Sequence, residues 1–327
     1  MTEPQKETHL VQNDCSSIPG MKRFSHEAMA TTFEILIVHE NERYARQAAL
    51  AAFNEADRLE SELSRFIPNS DISRINNLPV NQALKLGLDA FECLKLSSEI
   101  NAQTNGAFDI TIGSLFSCWH NEQGTEFKPS PEKLNIARQH TGTDLFQLDE
   151  EEHTIRLSTS PVRIDLGGIG KGYAVDRMAE LLREWSIDTA LISGGFSSVL
   201  ALGAPKDMKG WPLTLSNPLD HKQILARPYL QNGALGSSGL KKGLHIIDPR
   251  TANPADNKLA AWSSAPDAAT ADALSTSFMI MSREKIDEYC SSHPNTSAIV
   301  LLQGQHRQIQ KKDVIHFGNW EKSELLL

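Results

Sequence analysis

The chain has 327 residues, of which 40% are hydrophobic and 22% charged, a usage that excludes collagen-like, coiled-coil and disordered proteins. Its formal net charge of −9 provides no basic field to attract a phosphate backbone, so nucleic acid is excluded as an expected partner. An anionic ligand would have to be bound locally, by backbone amides, by a lysine or arginine, or by a divalent cation.

The N-terminal segment carries no targeting or membrane signal. Residues 1–20 contain no basic region followed by an apolar core, and the longest apolar stretch, Phe33 to Val38, is interrupted by Glu34. A helix that spans a bilayer needs about 20 apolar residues. We therefore predict a polar N-terminal arm over residues 1–22, one domain over residues 23–327, no transmembrane segment and a cytoplasmic location.

The spacing of apolar side chains predicts the elements of the first half of the chain. Alternation over residues 33–38 indicates a strand, and repeats of three and four predict helices from Arg43 to Phe66 and from Leu84 to Thr104. The polar segment from Cys118 to Asp144 is interpreted as a surface excursion with one short helix. Residues Phe146 to Asp165 indicate a hairpin of strands.

The second half begins with a strand, a glycine-rich turn and a helix over residues 162–185. A strand follows at residues 189–193, and an edge strand is predicted around Trp211 to Leu215. A helix from Ala271 to Ser282 precedes a last hairpin that contains residues 298–302. The presence of both strands and helices predicts a mixed fold, α/β or α+β. The sequence contains no internal repeat.

The glycine-rich turn fits neither of the two familiar nucleotide-binding motifs. Asp165 and Gly172 occupy positions where a P-loop needs glycine and a hydroxyl residue, and Tyr173 stands where a Rossmann motif needs its third glycine. Glycines at a helix N-terminus still let the backbone approach an anion. Lys171 could contact a phosphate, and Asp165 could accept from a ribose, a base or a ring nitrogen. The alternative is that the glycines serve packing alone.

The predicted helix over residues 271–282 places a carboxylate and a hydroxyl on one face. Asp272 and Thr276 are four residues apart, with Ser275 beside them. Oxygen ligands of this kind suit Mg²⁺, which keeps other positions for waters and phosphates. In the alternative interpretation, Asp272 stabilises the dipole of its own helix. We expect the opposite face to carry the apolar side chains Leu274, Phe278 and Met281.

The motif HIIDPRT, residues 245–251, offers three polar side chains around a proline. His245 could move a proton near neutral pH. Arg250 could hold a phosphate or anchor Asp248, and an Arg250–Asp248 pair that only holds the Asp-Pro turn is the alternative.

Taken together and in order, six motifs resemble the FAD:protein FMN transferase family, also called the ApbE family. The resemblance extends from Met29 to Ser282. The motifs are MATTF (29–33), LSRF with SDISRIN (63–76), GAFDITIGSL (106–115), IDLGGIGKGYAVD (164–176), HIIDPRT (245–251) and ADALST (271–276).

The resemblance implies an ApbE-like flavin transferase fold, in which mixed sheets flanked by helices enclose a central cleft. It identifies residues 23–327 as an FAD:protein FMN transferase domain. Such an enzyme transfers FMN from FAD to a threonine or serine of a target flavoprotein, releases AMP and uses Mg²⁺. FAD is then a substrate, and the target flavoprotein is the expected partner.

The same resemblance implies a set of site residues. It implies Mg²⁺ ligation by the carbonyl of Gly168 with Asp272 and Thr276, and it places Ser275 beside the ion. Catalytic roles fall to Asp272, Lys171 and His245, the last as proton acceptor for the incoming hydroxyl. The implied flavin contacts are Met29, Phe66, Ala107, Phe108, Asp109, Asp165, Lys171 and the backbone of Ile246.

The sequence departs from the family pattern at three positions, one in the first motif and two outside the six motifs. Alanine replaces the usual glycine at Ala30 and Ala252, and phenylalanine replaces the usual aspartate at Phe196. The segment GSSGLKKG, residues 236–243, matches only in part. Two alternative functions stay open at this point: an FAD pyrophosphatase, which gives FMN and AMP, and a non-catalytic FAD-binding protein.

Overall fold

A computed structural model describes residues 10–13, 15–119, 127–240, 243, 245–304, 309–320 and 323–326. Residues 1–9 and 14 of the predicted arm, 120–126 of the predicted excursion, and 241 and 242 of the GSSGLKKG segment lie outside this description. The helices are α1 (Glu42–Leu63), α2 (Asp71–Asn76), α3 (Leu88–Gln103), α4 (Gly113–Trp119), α5 (Pro131–Arg138), α6 (Gly170–Glu184), α7 (Ala268–Ile280) and α8 (Arg283–Ser292). The strands are β1 (Val11–Asn13), β2 (Met21–Ala28), β3 (Thr31–Val38), β4 (Ala83–Lys85), β5 (Phe146–Asp149), β6 (Thr154–Leu157), β7 (Ala190–Gly194), β8 (Ser198–Leu202), β9 (Trp211–Asn217), β10 (Asp220–Leu230), β11 (Gly233–Gly239), β12 (Lys258–Ala265), β13 (Ser297–Leu302), β14 (Val314–Phe317) and β15 (Ser323–Leu325).

The strands form one large sheet and two smaller ones. The large sheet has the order β14-β13-β12-β11-β8-β7-β3-β2, and each neighbouring pair in it is antiparallel. The smaller sheets have the orders β1-β9-β10-β15 and β4-β6-β5. Antiparallel sheets with helices grouped beside them define the α+β class. The prediction of a mixed fold is therefore confirmed in its α+β form.

Strand β3 shows that the large sheet is buried on both faces. Phe33, Ile35 and Ile37 belong to the apolar cluster that also contains the buried faces of α1, α6 and α7. Leu36 belongs to the opposite cluster, which lies against the four-stranded sheet and includes Trp211. Successive side chains of a strand point to opposite faces. Helices thus cover one face of the large sheet, and the four-stranded sheet covers the other.

The described part of the predicted N-terminal arm contributes to the sheets. Val11 pairs with Leu215 and places β1 beside β9, which lies between β1 and β10. The prediction of an edge strand at Trp211 to Leu215 is therefore wrong, because the arm supplies the missing neighbour. Strand β2 was not predicted, since its sequence MKRFSHEA is mostly polar and its outward face stays partly exposed.

Several helix and strand limits differ from the predictions. Leu84 lies in β4, and α3 begins only after Gly87, the residue at its N-cap. Helix α1 ends at Leu63 instead of Phe66. The hairpin β5–β6 ends at Leu157, well before Asp165. None of the helices in the described ranges is long and apolar enough to cross a membrane.

The turn between β2 and β3 places two non-glycine residues in the left-handed region. Met29 has φ 50° and Ala30 has φ 55°, and the strands on both sides pair in register from Ala28 and Thr31 outward. Two positive φ values define the two-residue turn that matches the twist of a hairpin. An alanine in this region costs about 1–2 kcal/mol, whereas glycine enters it freely.

We expect Ala30→Gly to raise the free energy of unfolding by about 1 kcal/mol, because glycine removes the clash of the Cβ atom at positive φ. Urea unfolding followed by circular dichroism measures this change. The control is Ala28→Gly, two residues earlier on β2, where the same substitution should lower stability because it empties a buried position. An Ala30→Gly variant less stable than the wild type would contradict the account of this turn.

Candidate active site

The N-terminal turn of α6 lies directly against α7. A Cβ atom added to Gly172 would overlap the carbonyl of Ala268 and lie 2.8 Å from Ala269 Cα. The backbone N–H of Gly172 donates to Asp272 Oδ2 at 3.2 Å. The glycine-rich segment therefore serves packing at Gly172, which is the alternative that the sequence left open for this position.

Lys171 lies between the two helices. Its Nζ is 3.6 Å from Asp272 Oδ2 and donates to the carbonyl of Gly167 at 3.2 Å. The side chain of Lys171 is 25% exposed, whereas that of Asp272 is 4% exposed. The lysine thus carries a positive charge at the boundary between solvent and a buried carboxylate.

Helix α7 is buried along most of its surface, whereas Thr276 is partly exposed. Asp272 and Ser275 are buried, as are Leu274, Phe278 and Met281. The polar side chains face two neighbouring elements, since the Asp272 carboxylate lies against Gly172 of α6 and the Thr276 hydroxyl against Ser238 of β11. A Cβ atom on Gly236 of β11 would overlap the carbonyl of Ala271, and Ser263 of β12 donates to that same carbonyl.

Ionisable side chains from neighbouring elements hold both ends of α7. At its start the carboxylate of Asp176 accepts from the N–H groups of Ala268 and Ala269 at 2.7 and 2.8 Å. Burial raises the pKa of Asp176 to about 7, against the effect of these two donors. At its end Lys258 Nζ donates to the carbonyls of Met279 and Met281. Burial lowers the pKa of Lys258 to about 8.

Three hydroxyl groups meet where α7 passes strand β11. Ser238 Oγ lies 2.8 Å from Ser275 Oγ and 3.1 Å from Thr276 Oγ1. The backbone of Gly168 approaches the same place, since a Cβ atom there would lie 3.4 Å from Thr276 Oγ1 and 3.2 Å from Phe108 Cε2. Ser238 is a residue that the sequence analysis missed, although it lies in the partly matching GSSG segment.

These residues offer a set of oxygen atoms that fits Mg²⁺. Asp272 supplies a carboxylate, Thr276 a hydroxyl, and Gly168, whose backbone approaches that hydroxyl, a carbonyl. Within the part of the chain that the structure describes, the second carboxylate oxygen of Asp272, Oδ1, accepts no hydrogen bond, and no cluster of three His, Cys, Asp or Glu side chains could hold a metal instead. A single carboxylate with neutral oxygens suits an ion that keeps waters and phosphates as further ligands.

The GAFD segment, residues 106–109, lies against the glycine-rich turn. The Phe108 carbonyl accepts from Asn101 Nδ2 at 2.7 Å, and the carbonyl of Ile110 accepts from the Asp165 N–H at 2.7 Å. Asp109 accepts from the N–H and the hydroxyl of Thr111, and burial raises its pKa. Ala107 and Phe108 are both buried. The structure thus brings the predicted Phe108 to Gly168, and the following residue Ile110 to Asp165.

Phe66 is exposed, and its neighbour Arg65 contacts Asp165. Its ring is 76% exposed, and the guanidinium of Arg65 lies 4.1 Å from the ring centroid. Arg65 Nε is also 3.0 Å from Asp165 Oδ2. An apolar ring held open at the surface by a cation–π contact is available to stack on a ligand.

The HIIDPRT turn lies against the GAFD segment. A Cβ atom on Gly106 would be 3.8 Å from Arg250 Cγ. Arg250 forms two hydrogen bonds to Asp248, at 2.9 and 3.0 Å, so the pair that would hold the Asp-Pro turn is present. Ile246 is buried. His245 Nδ1 lies 2.9 Å from the Gly243 carbonyl, which fixes the ring within its own turn.

All three positions that depart from the family pattern have left-handed backbone. The φ angles are 55° at Ala30, 57° at Phe196 and 59° at Ala252. Glycine enters this region without strain, and aspartate does so more readily than most residues. The chain therefore adopts left-handed backbone at these three positions without the residues that favour it. The turns with Met29 and Phe196 adjoin, because a Cβ atom on Gly195 would lie 3.1 Å from Thr31 Cγ2.

The chain is similar to known flavin transferases in both sequence and fold. Residues 29–300 match the sequence model of the ApbE family. The FAD:protein FMN transferase of Haemophilus influenzae is 27% identical over 324 residues, which cover 91% of this chain and 88% of that protein. The enzyme of the same name from Escherichia coli K12 is 28% identical over 244 residues, 70% of this chain and 67% of that one.

Two solved structures share the fold. The ApbE protein of Thermotoga maritima aligns with a TM-score of 0.79 at 25% identity and covers 89% of this chain and 97% of its own. The flavin transferase ApbE of Vibrio cholerae aligns with a TM-score of 0.78 at 20% identity and covers 91% of this chain and 97% of its own.

Proposed function

The chain belongs to the ApbE family, and from this premise we propose that it is an FAD:protein FMN transferase that uses Mg²⁺. It would transfer FMN from FAD to the hydroxyl of a threonine or serine in a target flavoprotein. The observation that carries the proposal is the convergence of Lys171, Asp272 and Thr276 with the backbone of Gly168 where α6 meets α7. The cytoplasmic location stays a prediction.

The reaction exchanges one phosphorus–oxygen bond for another. The acceptor oxygen forms a bond to the FMN-side phosphorus while the bond from that phosphorus to the bridging oxygen breaks, and AMP leaves with that oxygen. The hydroxyl proton passes to a base. Such transfers depend on position and charge neutralisation more than on covalent help from the protein.

Asp272, Thr276 and the carbonyl of Gly168 would hold the Mg²⁺, with Ser275 beside them. When bound, the ion neutralises charge on the pyrophosphate and on the leaving AMP. Lys171 contributes a second positive charge, since its ammonium group lies next to Asp272 and is partly exposed. The N–H groups at the start of α6 lie at the positive end of the helix dipole and add to this field.

His245 would accept the proton of the acceptor hydroxyl. Its Nδ1 faces the Gly243 carbonyl at 2.9 Å, and a carbonyl can only accept. Nδ1 therefore carries a hydrogen, and in the neutral ring Nε2 is the basic nitrogen.

The flavin nucleotide would contact residues 107–109, Asp165 and the Ile246 backbone. Met29, in the turn between β2 and β3, would contact it as well. The support is that Phe108 lies against Gly168 and that Ile110, which follows this segment, accepts from the Asp165 N–H. Phe66 would add a stacking surface at the open edge.

We expect Phe66→Ala to weaken FAD binding by about tenfold, because stacking on one aromatic ring contributes about 1–3 kcal/mol. Stability should not change, since the ring is already 76% exposed. Fluorescence titration with FAD measures the dissociation constant. The matched control is Leu50→Ala, an apolar side chain on α1 that is 59% exposed and should leave FAD affinity unchanged. Equal affinities for wild type and Phe66→Ala would contradict the stacking role.

The experiment that tests the function is an incubation of the purified chain with FAD and Mg²⁺, with and without a flavoprotein domain that bears an acceptor threonine. AMP release and flavin covalently bound to the acceptor are measured together. The proposal predicts both products, and no covalent flavin when EDTA is present. Release of AMP with free FMN and no covalent product would instead identify a pyrophosphatase. FAD binding without AMP across several acceptors would identify a binding protein.

A further inference from the structure

The three hydroxyls of Ser238, Ser275 and Thr276 form a hydrogen-bonded chain whose direction the structure fixes at one end. Ser275 Oγ is 2.8 Å from the carbonyl of Asp272, one helical turn earlier. A carbonyl only accepts, so the Ser275 hydroxyl donates its single hydrogen there. The oxygen of Ser275 is then left as an acceptor for its other neighbour.

That neighbour is Ser238, whose Oγ lies 2.8 Å from Ser275 Oγ. Because the hydrogen of Ser275 is already used, Ser238 must be the donor in this pair. Its own hydrogen is then used as well, and its oxygen can only accept from Thr276 Oγ1 at 3.1 Å. The hydrogens therefore run from Thr276 to Ser238, from Ser238 to Ser275, and from Ser275 to the Asp272 carbonyl.

Thr276 differs from its neighbours on α7 in where its hydroxyl is bonded. Ser275 and Ser277 donate back to carbonyls of their own helix, those of Asp272 and Ala273, as hydroxyls inside helices commonly do. The bond of Thr276 Oγ1 leads out of the helix to Ser238. An oxygen that ligates a cation must turn its hydrogen away from the ion, and Ser238 provides the acceptor for that hydrogen.

We propose that Ser238 is a positioning residue of the Mg²⁺ site, which accepts the hydrogen of Thr276 and so directs the lone pairs of Thr276 Oγ1 toward the ion. The inference rests on the proposed function, since it assumes that Thr276 is a ligand. Partners that orient a metal ligand through a hydrogen bond commonly affect affinity by about 10- to 100-fold.

The packing of β11 on α7 keeps Ser238 in place. Gly236 and Ser238 are two residues apart and point to the same face of the strand, and Gly236 lets the strand approach the backbone of α7. Ser237 points to the other face, where its hydroxyl lies 3.4 Å from the Ser197 carbonyl. The strand thus supplies a matched control one residue away.

The test measures Mn²⁺ binding to the full chain by electron paramagnetic resonance, with FAD present, for wild type, Ser238→Ala, Ser237→Ala, Thr276→Ala and the double variant Ser238→Ala with Thr276→Ala. We expect Ser238→Ala to raise the Mn²⁺ dissociation constant by about tenfold and Ser237→Ala to leave it unchanged. In the Thr276→Ala background, Ser238→Ala should have no further effect, because its partner is gone. Urea unfolding confirms that each variant is folded.

Two results would overturn the inference alone: wild-type affinity in Ser238→Ala, or a full tenfold loss from Ser238→Ala in the Thr276→Ala background as well. A wild-type chain that binds no Mn²⁺ would overturn the metal site of the proposed function, and the inference with it.

Discussion

Asp272→Asn is expected to lower the rate of FMN transfer by at least about 100-fold, the usual effect of removing one preorganised electrostatic group from an active site. Asparagine keeps the shape of the side chain and can still accept from the Gly172 N–H. What it removes is the negative charge that would hold the cation and that lies 3.6 Å from the Lys171 ammonium group. The rate is measured as covalent flavin formed on the acceptor per unit time.

The matched control is Asp267→Asn on the same helix. Asp267 is the N-cap of α7 and accepts from the Thr270 N–H at 2.7 Å. Asparagine caps helices as well as aspartate does, so this variant should retain wild-type transfer and stability. Wild-type transfer by Asp272→Asn in a folded chain would show that the carboxylate does not serve the reaction.

Gly172→Ala is expected to lower the free energy of unfolding by about 3 kcal/mol or more, because the added methyl group would overlap the backbone of α7 at Ala268. The neighbour is backbone, so no side chain can rotate out of the way. Separation of α6 from α7 would also move Lys171 away from Asp272, and transfer should fall with stability. Urea unfolding and the flavin transfer assay measure the two effects.

Gly170→Ala is the control for this prediction. In sequence the two glycines look alike, since they flank Lys171 in one motif. In the structure a Cβ atom on Gly170 meets only Leu166 Cβ, at 3.6 Å, which is an ordinary contact. Gly170→Ala should leave stability unchanged or raise it by up to about 1 kcal/mol. Equal losses in both variants would indicate a general need for glycine in the turn instead of a specific contact.

Elements with a strong local signal could be predicted from the sequence. The stripe of Val175, Met178 and Leu182 in α6 repeats at helical spacing, and all three side chains are buried. Strand β2 could not be predicted in this way, because a strand with one partly exposed face and a polar sequence lacks apolar alternation. The edge assignment of β9 failed because its neighbour β1 comes from a distant part of the chain.

In the candidate site, too, residues with a local sequence signal could be predicted and residues brought in from distant parts of the chain could not. Asp272 and Thr276 could be found because they lie on one helix, at a spacing that places them one above the other. Ser238 lies 38 residues before Thr276 in the chain, and only the packing of β11 on α7 brings the two hydroxyls together. The burial of Asp272 could not be anticipated either, because it depends on the packing of α6, which brings the Gly172 N–H to the carboxylate.

The three departures from the family pattern could be found in the sequence, but not explained from it. The sequence identifies Ala30, Phe196 and Ala252 as unusual, but only the backbone angles explain what they share. Each residue adopts a left-handed conformation that glycine or aspartate would favour. Pairing and packing of the flanking elements thus hold these three turns, against the local preference of the residues in them.

The central expectation for this protein is a divalent cation bound where α6 meets α7. Anomalous diffraction from a crystal grown with FAD and MnCl₂ tests it directly. We predict a manganese peak bonded to Asp272 and to Thr276 Oγ1 at about 2.1 Å, close to the distances of octahedral Mg²⁺, with Ser238 behind the threonine. A manganese peak elsewhere, with Asp272 and Thr276 bonded only to protein or water, would contradict the account.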